Sequence, residues 1–499
     1  MRGTPLPEPL HVLFWGTAAE GPCAWYRGHM FSEPWKDLGI EDRHISQVRM
    51  GIPTEYQGRE ADAFRDKKVF VDTSDIEWAD VIVVRRYYNT SWKCLGKPCG
   101  VTFPDEEAGH QHEVNARHYG PTQVAENRWA CKGEGGCRFL AFGPEDSVAH
   151  QKVTGHRVDP QDHITRTMWP AFLPYTDKAI VYDTDDDHFS IRNWNGYFAD
   201  VLAEQDLIES MARRADLVTV SSPVLAKRYA RFNDRIRVIR NAVVPEMYVQ
   251  STDRPPGDLP RLVYYGGSAR IRDYAGQEDF TGRLVGGQAK GAVDRFRDQF
   301  YSVFMGWGGE PEMYRVIGSM FDEVRQTVVM SQFPEALCNA HPDIGLSPLA
   351  GDDFDAAKSE LHWMEYSLAG AATVAQDFKF GGPYDVIRHG KDGMLARGRG
   401  EWEDALRYLL RNPAARSDMA ALAKERVLLE YDYRKRAAEW ADAFRWAAEN
   451  RGRNVGKGAD IPRPHSVAHI LRAATSGILD VSQLDKYTTA AEIAALRGP

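Results

Sequence analysis

Residues 342–384 restrict the fold of this chain more than any other stretch, because they contain one complete βαβ pattern. Two apolar runs, 343–349 and 371–375, are predicted as buried parallel strands, and an acidic turn at 351–355 follows the first of them. A helical pattern lies between this turn and the second strand and ends at Gly370. In an open parallel sheet, ligands bind at the carboxyl ends of the strands. The stretch therefore predicts an α/β fold with a ligand site beside this helix.

Two charged residues in this pattern are candidates for binding a nucleotide. Lys358 and Glu365 are seven positions apart, which places them on one face if a single helix carries both. A cation near the start of a helix can hold a diphosphate, and a carboxylate can accept hydrogen bonds from both hydroxyls of a ribose. The competing interpretation is an ordinary pair of charges on a solvated helix face.

The segment DIGLSPL…KSELHWMEYSLAG…VAQDF resembles the nucleotide-sugar site of GT-B glycosyltransferases, in particular the large retaining family four. The resemblance extends over residues 11–27 and 178–445. It implies two Rossmann-like domains that face a cleft, a nucleoside-diphosphate sugar such as a UDP-sugar as the donor, transfer of a hexose, and retention at the anomeric carbon. It places Lys358 on the donor diphosphate and Glu365 on the ribose. The earlier glutamate of the family falls at Ala357, so the two-glutamate motif is incomplete.

The first predicted strand, residues 11–15, leads into a glycine-bearing loop that opens a helix, where doubly wound folds place anions. The G-x-G-x-x-G fingerprint of dinucleotide-binding folds is missing there. The segment GPCAWYR is similar to the glycine–proline loop of the family, which implies that Gly21, Tyr26 and Arg27 contact the acceptor or the sugar; a structural role for Tyr26 and Arg27 is the alternative. Further strands of this sheet are predicted at residues 69–72, 80–84, 179–183, 215–221 and 236–239.

A cluster of carboxylates follows the predicted strand 179–183, at the end of the strand where catalytic groups belong. Clustered carboxylates suit proton transfer, because neighbouring charges change their affinity for protons. Asp186 and His188 are therefore the candidate catalytic residues on the acceptor side. The alternative is a D-x-D motif that holds a divalent metal on the donor, as in the other glycosyltransferase fold.

Residues 92–163 interrupt the α/β pattern with a repeated spacing of cysteines and histidines. The first copy is C-x4-C-x12-H-x5-H and the second is C-x5-C-x12-H-x5-H. Two thiolates and two imidazoles form a closed tetrahedral zinc site, so two structural Zn²⁺ ions are predicted. The predicted ligands are Cys94, Cys99, His112, His118, Cys131, Cys137, His150 and His156. His110 and His163 are reserve ligands, and a pair of disulfides is the alternative, which a cytoplasmic setting disfavours.

The repeated spacing also raises the question of nucleic-acid binding, which is common among zinc fingers. Residues 105–107 and 145–146 are acidic and the net charge of the chain is −9, and neither feature attracts phosphates. Contact with nucleic acid, a purely structural role and protein docking all remain open.

The second half begins after a polar, proline-rich linker at residues 251–260. A strand predicted at 262–265 then meets GGSARIRD, a turn whose backbone amides can face donor phosphates. By the resemblance, one arginine of this segment joins Lys358 on the diphosphate. The predicted donor-binding residues here are Gly266, Gly267, Ser268 and either Arg270 or Arg272.

At 499 residues the chain is too long for one hydrophobic core. We predict an N-terminal Rossmann-like acceptor domain, a double zinc-finger-like insertion, a C-terminal Rossmann-like nucleotide-sugar domain, a helix that packs back across the domains, and a tail. Their bounds are residues 1–91 with 164–250, 92–163, 261–424, 425–451 and 452–499. Neither a transmembrane run nor a basic, apolar leader is recognisable, so we expect a location in the cytoplasm of a bacterium or a phage-infected host.

The predicted function is transfer of a sugar from a nucleoside-diphosphate sugar to a hydroxyl group. The favoured acceptor is a hydroxymethylated pyrimidine in bacteriophage DNA, which requires base flipping or a single strand. Acceptor alternatives are a polysaccharide, a lipid-linked glycan and a protein. A different class is a non-catalytic protein that binds nucleotide sugars or nucleic acid on a transferase fold, which Ala357 in the place of a glutamate favours.

Overall fold

The structure of the chain is a computed structural model. It describes residues 8–16, 22–45, 49–51, 70–72, 74–85, 91–93, 102–103, 122–125, 128–130, 138–140, 177–191, 208–209, 211–250, 252–254, 257, 259–267, 270–278, 284–285, 287–309, 311–379 and 381–451.

The strands are numbered along the chain. They are β1 (Leu10–Trp15), β2 (Ile40–Ile45), β3 (Arg49–Gly51), β4 (Phe70–Asp72), β5 (Val81–Arg85), β6 (Ser91–Lys93), β7 (Thr102–Phe103), β8 (Thr122–Ala125), β9 (Arg128–Ala130), β10 (Arg138–Leu140), β11 (Ala179–Thr184), β12 (Leu217–Val220), β13 (Ile236–Val238), β14 (Arg261–Tyr265), β15 (Gln277–Glu278), β16 (Leu284–Val285), β17 (Tyr301–Trp307), β18 (Glu323–Gln326), β19 (Ile344–Ser347), β20 (Ala372–Gln376) and β21 (Met394–Ala396).

The α-helices are numbered in the same way. They are α1 (Pro22–Arg27), α2 (Ser32–Asp37), α3 (Ser74–Trp78), α4 (Pro223–Tyr229), α5 (Ile271–Ala275), α6 (Gln288–Arg295), α7 (Pro311–Gly318), α8 (Phe333–Cys338), α9 (Asp353–Ala356), α10 (Leu361–Leu368), α11 (Arg399–Arg411), α12 (Pro413–Glu430) and α13 (Tyr433–Glu449). None of the described helices is long and apolar enough to cross a membrane.

Two six-stranded parallel sheets form the two halves of the molecule. Their strand orders are β13-β12-β11-β5-β1-β2 and β18-β17-β14-β19-β20-β21. In the second sheet, for example, Tyr264 of β14 pairs with Phe304 on one side and with Leu346 on the other. Both sheets are doubly wound, because the strand order reverses once, at β1 in the first sheet and at β14 in the second. The predicted α/β fold with two Rossmann-like halves is confirmed.

Alternating side chains of the first sheet enter two separate cores, as the two-residue period of a strand requires. Leu13 and Ile82 point into one core, while Val12 and Phe14 point into the other. The second core is closed by α13, whose Phe444 packs against Phe14 of β1. Trp440 is among the fully buried members of this core. The last described helix of the chain therefore covers the N-terminal sheet.

Several strands lie where they were predicted from the sequence. The strand predicted at residues 69–72 is present at 70–72, but it does not belong to the first six-stranded sheet as expected. The strand β4 pairs antiparallel with β3 in a separate two-stranded sheet. The strands β2, β18 and β21 were not predicted at all. Each lies at the edge of a six-stranded sheet, and β2 and β18 are mostly half-exposed or exposed. An edge strand with one open side can accept polar residues, so β2 and β18 lack the apolar run that identifies a central strand. The strand β21 is apolar but only three residues long.

The predicted zinc insertion is described only at five short strands. The strand β6 pairs antiparallel with β10, with Lys93 opposite Arg138, and β9 pairs with both β7 and β8. Cys94 follows Lys93 in sequence and Cys137 precedes Arg138, so this strand pair joins the two repeats to each other. All eight predicted zinc ligands, together with Gly21 and Ser268, lie outside the described residues.

Candidate functional site

The candidate site lies where the carboxyl ends of both sheets face each other. Strand order reverses at β1 and β14, and such reversal points are where ligands bind in open α/β sheets. Two adjoining cavities of about 140 and 350 Å³ occupy this cleft. Residues from both halves of the chain line both cavities: Pro22, Tyr26, Arg270, Leu361 and His362.

The turn after β14 depends on two glycines that approach each other closely. Gly306 has a φ of +115°, and a Cβ atom added to it would lie 2.3 Å from the carbonyl oxygen of Gly266. Gly266 itself donates its N–H to the carbonyl of Met305 at 3.0 Å, so this amide is already used inside the fold. Both Gly266 and Gly267 line the larger cavity, and contact of this turn with the donor stays a prediction.

Of the two arginines proposed for the diphosphate, Arg270 reaches the cleft. It lines both cavities, and its guanidinium donates to Asp273 at 3.2 Å. Burial opposes the charge of Arg270, but Asp273 and Asp355 outweigh it and raise its pKa above the ordinary value. Arg272 is not among the residues that line either cavity. The cleft therefore has a permanent positive charge at Arg270.

Lys358 lies in the smaller cavity and bridges the two halves of the protein. Its ammonium forms an ion pair with Asp186, which follows β11 in the N-terminal half, and lies 4.2 Å from the centre of the Phe354 ring. The two side chains are 17% and 26% exposed. The predicted donor-binding lysine and the predicted catalytic aspartate are therefore in direct contact, and both are open to the cavity.

The structure corrects the helix that was expected to carry both Lys358 and Glu365. A four-residue helix, α9, is capped by the side chain of Asp352, and the longer helix α10 begins only at Leu361. Lys358 lies in the connection between the two helices, and Glu365 lies inside α10. This break in the helix is what allows the lysine to turn toward the N-terminal half.

Glu365 is 2% exposed, and two tyrosines donate hydrogen bonds to it. The Tyr26 hydroxyl binds Oε1 from the N-terminal half, and the Tyr265 hydroxyl binds Oε2 from the end of β14. Burial raises the pKa of Glu365 to about 7, against the opposite effect of the two hydrogen bonds. Glu365 lines the larger cavity, and each of its oxygens can accept a further hydrogen bond beside the one from tyrosine.

His362 was missed by the sequence analysis, although it lines both cavities. It lies in the first turn of α10, with its ring centre 4.2 Å from that of Tyr265. Burial, then the positive charges of Arg270 and Lys358, hold its pKa well below the ordinary value. The signal was available in the sequence, because the histidine lies four residues after Lys358 and three before Glu365.

Arg27, predicted to contact the acceptor or the sugar, does not reach the cleft. It is 0% exposed, and its guanidinium binds Asp183 at 2.5 and 3.2 Å and stacks on Trp440 at 4.8 Å. A buried arginine requires a hydrogen-bonded partner, and the carboxylate at the end of β11 supplies it. The neighbouring Tyr26 does line both cavities.

The carboxylates at the carboxyl end of β11 bind different arginines. Arg85 also binds Asp183, and Arg228 binds Asp187. Among the described residues there is no group of three or more His, Cys, Asp or Glu side chains placed to hold a metal ion. His188 is 4% exposed, lies 3.4 Å from the Tyr229 hydroxyl, and is not among the residues that line the two cavities.

Further contacts hold the two halves together around the smaller cavity. Asn241 donates to the Ser359 hydroxyl at 2.9 Å, and Ser222 donates to the carbonyl oxygen of Ala357 at 2.9 Å. Arg240 forms an ion pair with the fully buried Glu360 at 2.7 Å. The segment between α9 and α10 is therefore bound to the N-terminal half immediately before and after Lys358.

Comparison with known proteins agrees with this architecture. Residues 306–442 match the model of a family described as glycosyl transferase-like. Sucrose-phosphate synthase from Thermosynechococcus elongatus has a TM-score of 0.51 at 12% identity, and the match covers 87% of this chain and 98% of that chain. HepE from Anabaena, solved with UDP-glucose, has a TM-score of 0.47 at 11% identity, with 87% and 99% covered. A glycosyltransferase from Rickettsia africae has a TM-score of 0.47 at 10% identity, with 88% and 98% covered. No curated protein matches the sequence.

The fold and the family match point to one class of protein. The two parallel six-stranded sheets and the similarity to sucrose-phosphate synthase are those of the GT-B fold. The family match lies in the half of the chain that contains Lys358 and Glu365. The fold and the family match together support a glycosyltransferase.

Proposed function

We propose that this protein transfers a sugar from a nucleoside-diphosphate sugar bound in the cleft to a hydroxyl acceptor. The observation that carries the proposal is the meeting of Arg270 and Lys358 in one cavity at the carboxyl end of the second sheet, beside the buried Glu365. Two cations beside a reversal of strand order suit a diphosphate. A carboxylate in the adjoining cavity suits the hydroxyls of a ribose.

The dimensions of the two cavities favour a division of the donor between them. The larger cavity is lined by Gly306, by residues 326–328 at the carboxyl end of β18, and by Glu365, and it suits the nucleoside. The smaller cavity contains Lys358, Asp185 and Asp186 and suits the sugar and the acceptor hydroxyl. The diphosphate would lie at the junction, beside Arg270.

The chemical step requires stabilisation of the charge that grows on the departing diphosphate. Lys358 and Arg270 would supply it as the bond from the anomeric carbon to the diphosphate oxygen breaks. The acceptor oxygen forms the new bond, and its proton passes to the carboxylate of Asp186 on the opposite wall. That carboxylate forms an ion pair with Lys358. A bound diphosphate would draw the lysine away and leave Asp186 ready to accept the proton. For His188 the contacts favour a positioning role, because its described partners are Thr184 and Tyr229.

For the acceptor, we propose a hydroxymethylated pyrimidine in phage DNA. The proposal depends on the repeated cysteine–histidine spacing at residues 92–163, inside the N-terminal half that supplies Asp186. Two structural Zn²⁺ ions on the eight predicted ligands belong to the same proposal, as does a cytoplasmic location. The net charge of −9 predicts few phosphate contacts, so binding to DNA should be weak and sensitive to salt.

The test is to incubate the purified full chain with UDP-, GDP-, ADP- and dTDP-sugars. Each donor is combined in turn with hydroxymethylated DNA, unmodified DNA, a polysaccharide, a lipid-linked glycan and a protein. Release of nucleoside diphosphate reports donor use, and mass spectrometry of the acceptor reports transfer. We expect a sugar on hydroxymethylated DNA alone. Transfer only to a glycan or a protein would overturn the acceptor, and a chain that binds these donors without ever cleaving them would be a binding protein.

A further inference from the structure

We propose that His362 contacts the nucleotide sugar. Its imidazole would donate a hydrogen bond to the diphosphate, between Arg270 and Lys358. This inference rests on the proposed function, because it names a further contact in the same cleft. The residues that the sequence pattern selected for the diphosphate are glycines, a serine, a lysine and arginines, and none of them is a histidine.

The position of His362 is the first argument. It is one of the few residues that line both cavities, so its ring lies at the junction where a nucleoside in the larger cavity would meet a sugar in the smaller one. In a nucleoside-diphosphate sugar, that junction is the diphosphate. Arg270 lines the same junction, and Lys358 lines the smaller cavity.

The contacts of the ring are the second argument. The His362 ring lies beside that of Tyr265, with ring centres 4.2 Å apart and planes tilted by 39°, and the ring of Tyr366 is 6.3 Å away and nearly perpendicular. Within the part of the chain that the structure describes, neither ring nitrogen has a hydrogen-bond partner. The ring is thus held by aromatic packing in a residue that lines both cavities.

The charge of the ring is the third argument. Burial and the two neighbouring cations hold the pKa of His362 well below its ordinary value, so the imidazole is neutral at physiological pH. A neutral imidazole has one N–H to donate and repels neither cation. It would add a directional contact to a diphosphate that Arg270 and Lys358 attract mainly by charge.

Two substitutions separate a hydrogen bond from simple packing. His362→Phe keeps a ring against Tyr265 and removes the donor, while His362→Gln removes the ring and keeps an N–H donor. His341→Gln serves as a matched control, because His341 lies in the same half of the chain at the amino end of β19, away from the cleft. All three variants are compared with the wild type by thermal melting.

The measurement is equilibrium binding of UDP, GDP, ADP and dTDP, each beside its nucleoside, followed by kcat and KM for the nucleotide sugar that the wild type uses. We expect His362→Phe to weaken binding of the preferred diphosphate by about 10- to 100-fold, as for loss of a hydrogen bond to a charged group. Binding of the matching nucleoside should be unchanged, and His362→Gln should recover part of the loss. His341→Gln should behave as the wild type.

The opposite ranking overturns the inference: if His362→Phe binds diphosphates like the wild type and His362→Gln does not, the ring serves packing alone. An equal loss for the diphosphate and for its nucleoside also overturns it, because the contact would then not be to phosphate. Failure of the proposed function would look different, since the wild type itself would bind none of the four diphosphates and Lys358→Ala would change nothing.

Discussion

Two ion pairs of the site differ in how deeply they are buried. Arg27 and Asp183 are both 0% exposed, whereas Lys358 and Asp186 are 17% and 26% exposed. Removing one partner of a fully buried pair leaves an uncompensated charge, so such a pair belongs to the fold. In a partly exposed pair, either residue can leave its partner and bind a ligand instead. We therefore assign the first pair to the support of the cleft and the second to its chemistry.

Lys358→Ala should reduce kcat for release of nucleoside diphosphate by roughly 10²-fold, the scale of removing one preorganised charge contact in a transition state. Lys36→Ala is the control, because Lys36 forms an exposed ion pair with Glu33 far from the cleft. Equal rates for the two variants would show that Lys358 does not contact the donor diphosphate and that the donor binds elsewhere.

Glu365 should make stability depend on pH. Burial raises its pKa to about 7, above the value of about 4.3 for an exposed glutamate, so the folded state holds the proton more tightly than the unfolded chain. This contribution to the free energy of unfolding is fully present below about pH 4.3. It is lost as the pH rises through about 7, by roughly 4 kcal/mol in total.

Glu365→Gln removes the titrating group with little change of shape. Urea unfolding from about pH 5 to about pH 8 should show the wild type losing stability relative to this variant, because only the wild type releases the proton. Parallel curves for the two proteins over this range would contradict a raised pKa at Glu365.

At the scale of elements, the junction of β14 with β17 depends on close backbone contact. Gly306→Ala places a methyl group 2.3 Å from the carbonyl oxygen of Gly266, so the end of β14 must shift. Gly309→Ala is the matched control, because its φ of +107° is equally unusual for alanine but no atom lies within 4 Å of the added methyl. We expect Gly306→Ala to cost roughly 2 kcal/mol more than Gly309→Ala in urea unfolding. A similar cost for both would show that backbone strain alone matters there.

At the scale of the whole molecule, α13 joins the end of the described chain to the first sheet. Trp440 is fully buried among the strands of that sheet, and the guanidinium of Arg27 stacks on it. Trp440→Ala should therefore lower the free energy of unfolding by about 3 to 5 kcal/mol. Trp446→Ala, on the same helix but only partly buried, should cost clearly less. Equal costs would mean that α13 does not close this core.

The proposed zinc sites are tested on the intact protein. Elemental analysis of chain prepared without added zinc should give about two Zn²⁺ per molecule. Cys99→Ser and Cys137→Ser should each remove one of them, because each takes a thiolate from a different repeat, whereas Cys338→Ser, at a buried and separate cysteine, should keep both. Cysteines in disulfides and no bound zinc would contradict the proposal.

The sequence by itself determined the fold class and most central strands. Strands buried on both faces need continuous apolar runs, so β1, β5, β11, β14 and β19 could be recognised locally. Lys358 and Glu365 could be singled out because one helical segment was expected to carry both, although the helix proved to be broken between them. Polar edge strands could not be found in this way, since one open side removes the apolar pattern.

Only the tertiary structure decided which charged side chains reach the cleft. Arg27 and Tyr26 are neighbours in sequence, yet the first turns into the fold and the second lines both cavities. The difference is made by Asp183, which lies 156 positions away and compensates the buried guanidinium. In the same way, Lys358 meets Asp186 across 172 positions. Burial and charge pairing depend on such distant partners, and local sequence patterns contain no information about them.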